Sequence, residues 1–357
     1  MSKVDESDAL HARARAFVSA FERGEAMPEA FGALAKDLAD FQARHSASYA
    51  RLRDARKEEI PAVPTDAFKV ARVSVFDERE TPIVFRTSGT TVGARGAHWF
   101  RTTATYDAGS VAFGRVALGV PREKIPVLVV GPSPRAQSDS SLTHMIARFA
   151  SEMGEPAREE ETYFVHDGVM DLVALDERVT RLLMARDARA PIVLGTALAF
   201  VHLLDALGEA KFRLPEKTRV MQTGGFKGKK REVDAAKLRR ELARAFCLTE
   251  RAIVGEYGMT ELSSQFWERA SGSVSGVYVE PPWARVVPVD PETLVPVRDG
   301  EIGIARIEDL LNVDSAACVL ASDRVRRVAS GGFELLGRAE GAPPRGCSIS
   351  IDEMLGE

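Results

Sequence analysis

The chain has 357 residues, of which 45% are hydrophobic and 28% charged, and its net charge is −4. It is too long for one small core and has the composition of an ordinary globular protein, and its slight acidity speaks against a general nucleic-acid binder. The sequence holds no apolar run long enough to span a bilayer, and the opening MSKVDESDAL lacks the apolar stretch of an export signal, so a cytoplasmic protein without membrane contact is expected.

In residues 6–59 apolar side chains recur at helical spacing, as in ALHARARAFVSAF and FGALAKDLADFQARH, which predicts two or three helices in a helical segment over 1–60. Pro61 and Pro64 end that segment, and IPAVPTDAFK reads as an extended connector. TPIVFRT is then a strand whose end delivers a glycine-rich loop, as in sheets whose ligands collect beyond the carboxyl ends of strands.

Strands and helices alternate over the rest of 61–275. TATYDAGSVAFGRVALGV is helical, IPVLVVGPSP is a buried strand, and SDSSLTHMIARFA is a helix capped by its serines. A helix follows over 171–186, and PIVLGTALAFVHLL passes from strand to helix. TRVMQTGGFKGKKREV reads as a strand, a Gly-Gly turn and a basic run in which Lys227, Lys229 and Lys230 form a solvated face. After a helix over 234–246, AIVGEYGMTELSSQFW runs from strand into turn. From Gly276 short strands broken by Pro, Asp and Gly predict a β-rich subdomain over 276–338, followed by a tail over 339–357. The class is therefore α/β, with mixed sheets flanked by helices and a small β-rich C-terminal subdomain.

Three cysteines are too few and too scattered for a disulfide framework or a zinc site. Cys247 and Cys318 lie in apolar stretches and are expected to be buried and inert, whereas Cys347 follows PPRG and stands apart. His144, on the helix after the serines, reads either as a pocket residue or as a packing residue. The most informative stretch is VFRTSGTTVGARGAHWF, residues 84–100. Thr87, Ser88, Thr90 and Thr91 supply hydroxyl groups, Gly89, Gly93 and Gly96 permit positive φ and close approach of backbone N–H groups, and Arg95 adds a fixed charge. These are the parts of a polyphosphate cradle, although surface turns share the composition. The string is not GxxxxGK[ST], since no Lys-Ser or Lys-Thr pair follows the glycines.

TSGTTVGARG resembles the phosphate-binding motif of the acyl-adenylate-forming superfamily, with Val92 at a usual glycine position and Arg95 in place of lysine. Further segments resemble that superfamily's motifs in the same order: Thr223 to Gly225, then EYGMTE, then GEIG, then SDRVRRVASGGFELLGR. The resemblance implies the large N-terminal domain of an adenylate-forming enzyme using ATP and Mg²⁺. It implies that Gly224, Gly225 and Tyr257 face adenine, that Thr260 reaches the α-phosphate and that Glu261 holds the metal. Asp323 is then the ribose ligand, and Arg338 lies at a hinge. A hard carboxylate oxygen suits Mg²⁺, and a carboxylate can accept from both ribose hydroxyls.

After the GR pair, where the superfamily continues into a mobile lysine domain, the chain reads GRAEGAPPRGCSISIDE, and a short tail is expected in place of that domain. With IPAVPTDAFK, SDSSLTHM and TGGFKGKKREV, this resembles the LuxE acyl-protein synthetases over roughly residues 55 to 352. That resemblance implies activation of a carboxylic acid, in particular a fatty acid, as acyl-AMP. Transfer to Cys347 as a thioester and delivery to a partner, an acyl reductase or an acyl carrier, would follow. CoA, a carrier protein's pantetheine or an amine remain alternative acceptors, and an inactive nucleotide-binding homologue is the reading outside catalysis.

Overall fold

The computed structural model describes residues 1–87, 95–185, 189–224, 234–268, 275–338 and 351–355. The chain divides into two compact units. One comprises Met1–Ala112, Met259–Phe266 and Gly276–Glu357, the other Phe113–Gly258 and Trp267–Ser275.

The first unit begins with α1 (Lys3–Arg23), α2 (Phe31–His45) and α3 (Ala47–Arg56), as the apolar spacing predicts. The Ser2 hydroxyl accepts from the Asp5 N–H and the Asp5 carboxylate accepts from the Ser2 N–H, which caps the start of α1. Gly24, at φ 67°, ends that helix in the left-handed conformation that costs a side chain least when there is none. Leu10, Ala14 and Phe17 of α1 and Leu34, Leu38 and Phe41 of α2 bury one stripe of each helix.

The expected connector does more than connect. Its β1 (Val63–Pro64) pairs parallel with Val319 and Leu320 before the short α4 (Ala67–Val70). The strand expected in TPIVFRT is β2 (Ile83–Arg86), but it pairs antiparallel with a strand the sequence reading did not include, β3 (Ala97–Phe100). The glycine-rich loop therefore joins the two arms of a hairpin and does not leave the carboxyl end of a parallel strand. The reason lies in the burial alternation of β3, where His98 and Phe100 point inward while Ala97 and Trp99 are half-buried. Helix α5 (Ala104–Ala117) then carries the chain out of the first unit.

The second unit is built on four parallel strands in the order β4 (Val127–Val130), β7 (Ile192–Thr196), β8 (Arg219–Thr223) and β9 (Ile253–Tyr257). VLVV of β4 is wholly buried, the continuous apolar run of a strand covered on both faces. Between them lie α6 (Ser141–Met153), α7 (Glu159–Thr162), a hairpin of β5 (Val165–His166) with β6 (Val169–Met170), α8 (Leu172–Met184), α9 (Ala197–Leu207) and α10 (Ala235–Ala245). The chain turns from strand or loop into helix at side-chain caps, with Ser140, Asp171, Thr196 and Asp234 each accepting a backbone N–H from the first turn. Leu128, Phe164, Phe200, Leu203, Leu238 and Leu242 meet in one core between sheet and helices. Glu268, in β10 (Phe266–Glu268), is buried beneath α10 and pairs with Arg239 at 2.6 Å while accepting from the Gly255 N–H of β9.

Back in the first unit, β11 (Val277–Val279), β12 (Ala284–Val289), β13 (Ile302–Asp309), β14 (Cys318–Arg327) and β15 (Phe333–Arg338) form an antiparallel array in the order β12-β13-β14-β15-β11. Residues 351–355 are helical and lie on α3, where Met354 is buried, its carbonyl accepts from Arg51 Nε at 3.0 Å, and Glu353 pairs with Arg56 at 2.7 Å. Cys318 is buried as expected, and burial pushes its thiol up to about 12. Cys247 is exposed, against expectation. It follows α10 at φ 54° with its N–H given to the Arg244 carbonyl and the Leu248 N–H given to Ala243, a helix ending that turns the side chain to solvent.

Helix α2 is tied to the segment between β13 and β14 through Gln42, which is wholly buried. Its Nε2 donates to the carbonyls of Asn312 and Val313 at 2.9 and 3.0 Å, and its Oε1 accepts from the Ala317 N–H at 3.0 Å. Gln42→Ala strands three buried backbone groups and is expected to lower stability by about 3 kcal/mol, read as a lower urea midpoint with an unchanged slope.

Candidate active site

The hairpin β2–β3 sets the base of the glycine-rich loop. Its last rung is made by Thr87, whose N–H donates to the Gly96 carbonyl and whose hydroxyl accepts from the Gly96 N–H, both at 2.9 Å. The Arg95 guanidinium folds back over this rung and donates to the carbonyl of Thr87 at 2.6 Å and of Arg86 at 3.3 Å. Ser88, Gly89, Thr90 and Thr91 lie outside the described residues.

The turn that follows β9 carries Thr260 and Glu261, half-buried and buried respectively. Its backbone is held at three levels within the first unit. The Thr260 carbonyl accepts from His98 Nδ1 at 2.8 Å, and the Glu261 carbonyl accepts from Asn312 Nδ2 at 2.9 Å. Asp309, fully buried, accepts the N–H groups of Ser263 and Ser264 at 2.9 and 2.8 Å and the Ser264 hydroxyl at 2.6 Å. Burial raises the Asp309 carboxyl above its usual range against the pull of these hydrogen bonds. His98 is also buried, and loss of solvent lowers its pKa to about 4, so the ring is neutral at physiological pH. A carbonyl only accepts, so the proton sits on Nδ1 and Nε2 receives the Ser315 hydroxyl at 2.9 Å.

Asp323 and Arg338 come together as cross-strand partners on β14 and β15, with Arg338 Nε 3.5 Å from the Asp323 carboxylate. Asp323 is buried and Arg338 exposed. In the second unit, Gly224 follows the end of β8 with φ 80° and is exposed, and Tyr257 is buried at the end of β9. Adjacent to them a pair appears that the sequence did not suggest. The Thr223 hydroxyl donates to Glu256, a fully buried carboxyl that burial raises to about 7. His144 is half-buried on α6. Gly225, the lysines at 227, 229 and 230, and Cys347 lie outside the described residues.

The first unit thus presents a carboxylate and a hydroxyl on a rigid turn, and a second carboxylate beside an arginine. Among the described residues no three His, Cys, Asp or Glu side chains gather into a metal cluster. Mg²⁺ needs none, because it commonly takes one or two carboxylates with substrate phosphates and water, and Glu261 with the Thr260 hydroxyl is a hard oxygen set of that kind. His98, Asn312 and Asp309 escaped the sequence reading because each acts on backbone. The one signal available was a histidine directly after the loop in a short alternating run.

The family model described as acyl-protein synthetase, LuxE, matches residues 46–356. The long-chain-fatty-acid–luciferin-component ligase of Aliivibrio fischeri is 24% identical over 316 residues, 84% of this chain and 79% of that protein. Among solved structures, an open conformation of 2-hydroxyisobutyryl-CoA ligase in complex with 2-HIB-AMP and CoA superposes with a TM-score of 0.62 at 14% identity, covering 86% of this chain and 74% of that one. ATP-bound MatB from Rhodopseudomonas palustris gives 0.51 at 15% identity over 74% of this chain, which spans only 49% of MatB. At these identities the structural likeness is one of fold, and the fold is that of adenylate-forming enzymes.

Two outcomes follow from the buried groups. His98→Phe removes the donor to the Thr260 carbonyl and is expected to lower the turnover rate about tenfold with KM for ATP little changed, while His98→Asn, which keeps an N–H near the Nδ1 position, recovers most of it. Glu256 releases its proton near 4.5 when unfolded and near 7 when folded, so between those values the folded state holds a proton the unfolded state has lost, and stability falls as pH rises. Urea midpoints measured from pH 5 to 8 should show that fall in the parent and lose it in Glu256→Gln.

Proposed function

The chain belongs to the LuxE family of acyl-protein synthetases, and on that footing we propose that it activates a carboxylic acid, a fatty acid in particular, as acyl-AMP and passes the acyl group to Cys347. The observation that carries the reading is the rigid turn of Thr260 and Glu261, pinned through its backbone by His98, Asn312 and Asp309.

In the first step a carboxylate oxygen attacks the α-phosphorus of ATP and pyrophosphate leaves. This chain's share is positioning and charge compensation. Thr87, Ser88, Thr90 and Thr91, with Gly89 and Arg95, are assigned to the phosphates, Thr260 to the α-phosphate, Asp323 to the ribose hydroxyls with Arg338 beside it, and Gly224, Gly225 and Tyr257 to adenine. Glu261 would hold Mg²⁺, which when bound neutralises phosphate charge. In the second step the Cys347 thiolate attacks the acyl carbonyl and AMP leaves with the electron pair of the broken anhydride bond. The mixed anhydride is a reactive acyl donor and a thiolate a strong nucleophile, so no histidine–carboxylate relay is required. The thioester then awaits a partner, for which an acyl reductase or an acyl carrier is the chemical match.

Exchange of labelled pyrophosphate into ATP tests the first step. It should require both an acid and Mg²⁺, and Glu261→Gln should slow it about a hundredfold. No exchange with any acid in folded protein refutes adenylation. Intact mass after incubation with ATP and acid tests the second step: the parent should gain one acyl group and Cys347→Ser should gain none while still exchanging pyrophosphate.

A further inference from the structure

The carboxyl ends of β4 and β7 open onto a cavity of about 480 Å³ in the second unit, within the range of about 300–1,000 Å³ usual for small-molecule sites. Gly131 and Gly195 lie at the strand ends, Ile146 of α6 and Ala199 of α9 line it, and the β5–β6 hairpin contributes Val165 and Met170. No Lys, Arg, Asp or Glu lines it.

The polar groups at its surface are already engaged or lie at its rim. The Thr143 hydroxyl donates to Gln137 Oε1 at 3.1 Å, the Thr196 hydroxyl accepts the Ala199 N–H at 3.0 Å as a helix cap, and His202 is exposed. A phosphate or carboxylate placed here loses water and gains no counter-charge, whereas a hydrocarbon gains by leaving water. Strand register says where such a chain would come from. Thr196 pairs with Thr223, and Thr223 with Glu256, so with strands about 4.8 Å apart the Thr196 rim lies about 10 Å along the same sheet edge from Glu256 and Tyr257.

We propose that this cavity receives the hydrocarbon chain of an aliphatic acid whose carboxyl end lies toward Thr223 and Gly224, and that the absent side chain of Gly131 sets how long a chain can enter. The assignment of the ligand as substrate rests on the adenylation reading. A Cβ on Gly131 would meet only Val129 Cγ1, at 3.5 Å, an ordinary contact, and the glycine is not held at positive φ, so the fold accepts a larger residue there.

The test pairs pyrophosphate exchange, over straight-chain acids from butyrate to hexadecanoate, with direct binding of a fluorescent polyene fatty acid in the absence of ATP. In the parent, kcat/KM for exchange should rise about fourfold per added methylene until the cavity is full. Gly131→Leu should leave butyrate unchanged and cost tetradecanoate about tenfold or more, with the same loss in fluorescent-acid binding. Ala199→Phe, which fills the cavity from the opposite element, should reproduce the pattern and guards against a folding defect in the first variant. Equal losses for all acids, or no change for any, in variants with the parent's circular dichroism overturn the cavity assignment while adenylation stands. Absence of exchange in the parent, together with fluorescent-acid binding that both variants abolish, overturns adenylation and leaves the cavity assignment standing.

Discussion

Much of the first unit depends on one fully buried carboxylate. Asp309 ends β13 in a place without water, and the free energy of keeping it there is offset by the donors gathered round it: the N–H groups of Ser263 and Ser264, the Ser264 hydroxyl and the Leu311 N–H. Burial makes each of these bonds count for more than it would at the surface, and it also makes any one of them costly to lose. The turn carrying Thr260 and Glu261 is thereby attached to a strand of the antiparallel array, with His98 and Asn312 fixing the two carbonyls before it. A site that stabilises developing charge works best when its dipoles do not have to reorganise, and backbone pinned at successive residues is one way to achieve that.

Burial acts in opposite directions on two other groups with a common result. It lowers the pKa of His98 and raises that of Glu256, and in both cases the uncharged form is the one favoured. Each neutral group then serves as a hydrogen-bond partner with a defined direction, His98 toward the Thr260 carbonyl and Ser315, Glu256 with Thr223. Asp323 meets Arg338 at a strand end where the arginine reaches solvent, whereas Arg239 and Glu268 pair beneath α10 out of contact with water.

The architecture was readable wherever one local signal was strong. The unbroken apolar runs of β4 and β7 identify covered strands, and Ser140, Asp171, Thr196 and Asp234 announce the helices that follow. The motif order carried the family. The short strand holding His98 was missed because four residues of alternation weigh little beside the glycines before them. No sequence pattern links Asp309 to Ser264, forty-five positions away, because the acceptor meets backbone N–H groups and those are present at every residue. Cys247 misled for a related reason: its neighbours are apolar, but the helix ending at Phe246 forces its own backbone into a left-handed turn.

The matched family region starts at residue 46, yet the fold does not. Ser7 and His11 of α1 hold the Asp314 carboxylate at 2.6 and 3.1 Å, and Gln42 of α2 satisfies the backbone at 312, 313 and 317. Asn312, so supported, is the residue that grips the Glu261 carbonyl. Homology and foldability thus have different borders in this protein. A fragment trimmed to the recognisable region would keep every signature residue and still expose the undersurface on which the turn of Thr260 and Glu261 rests.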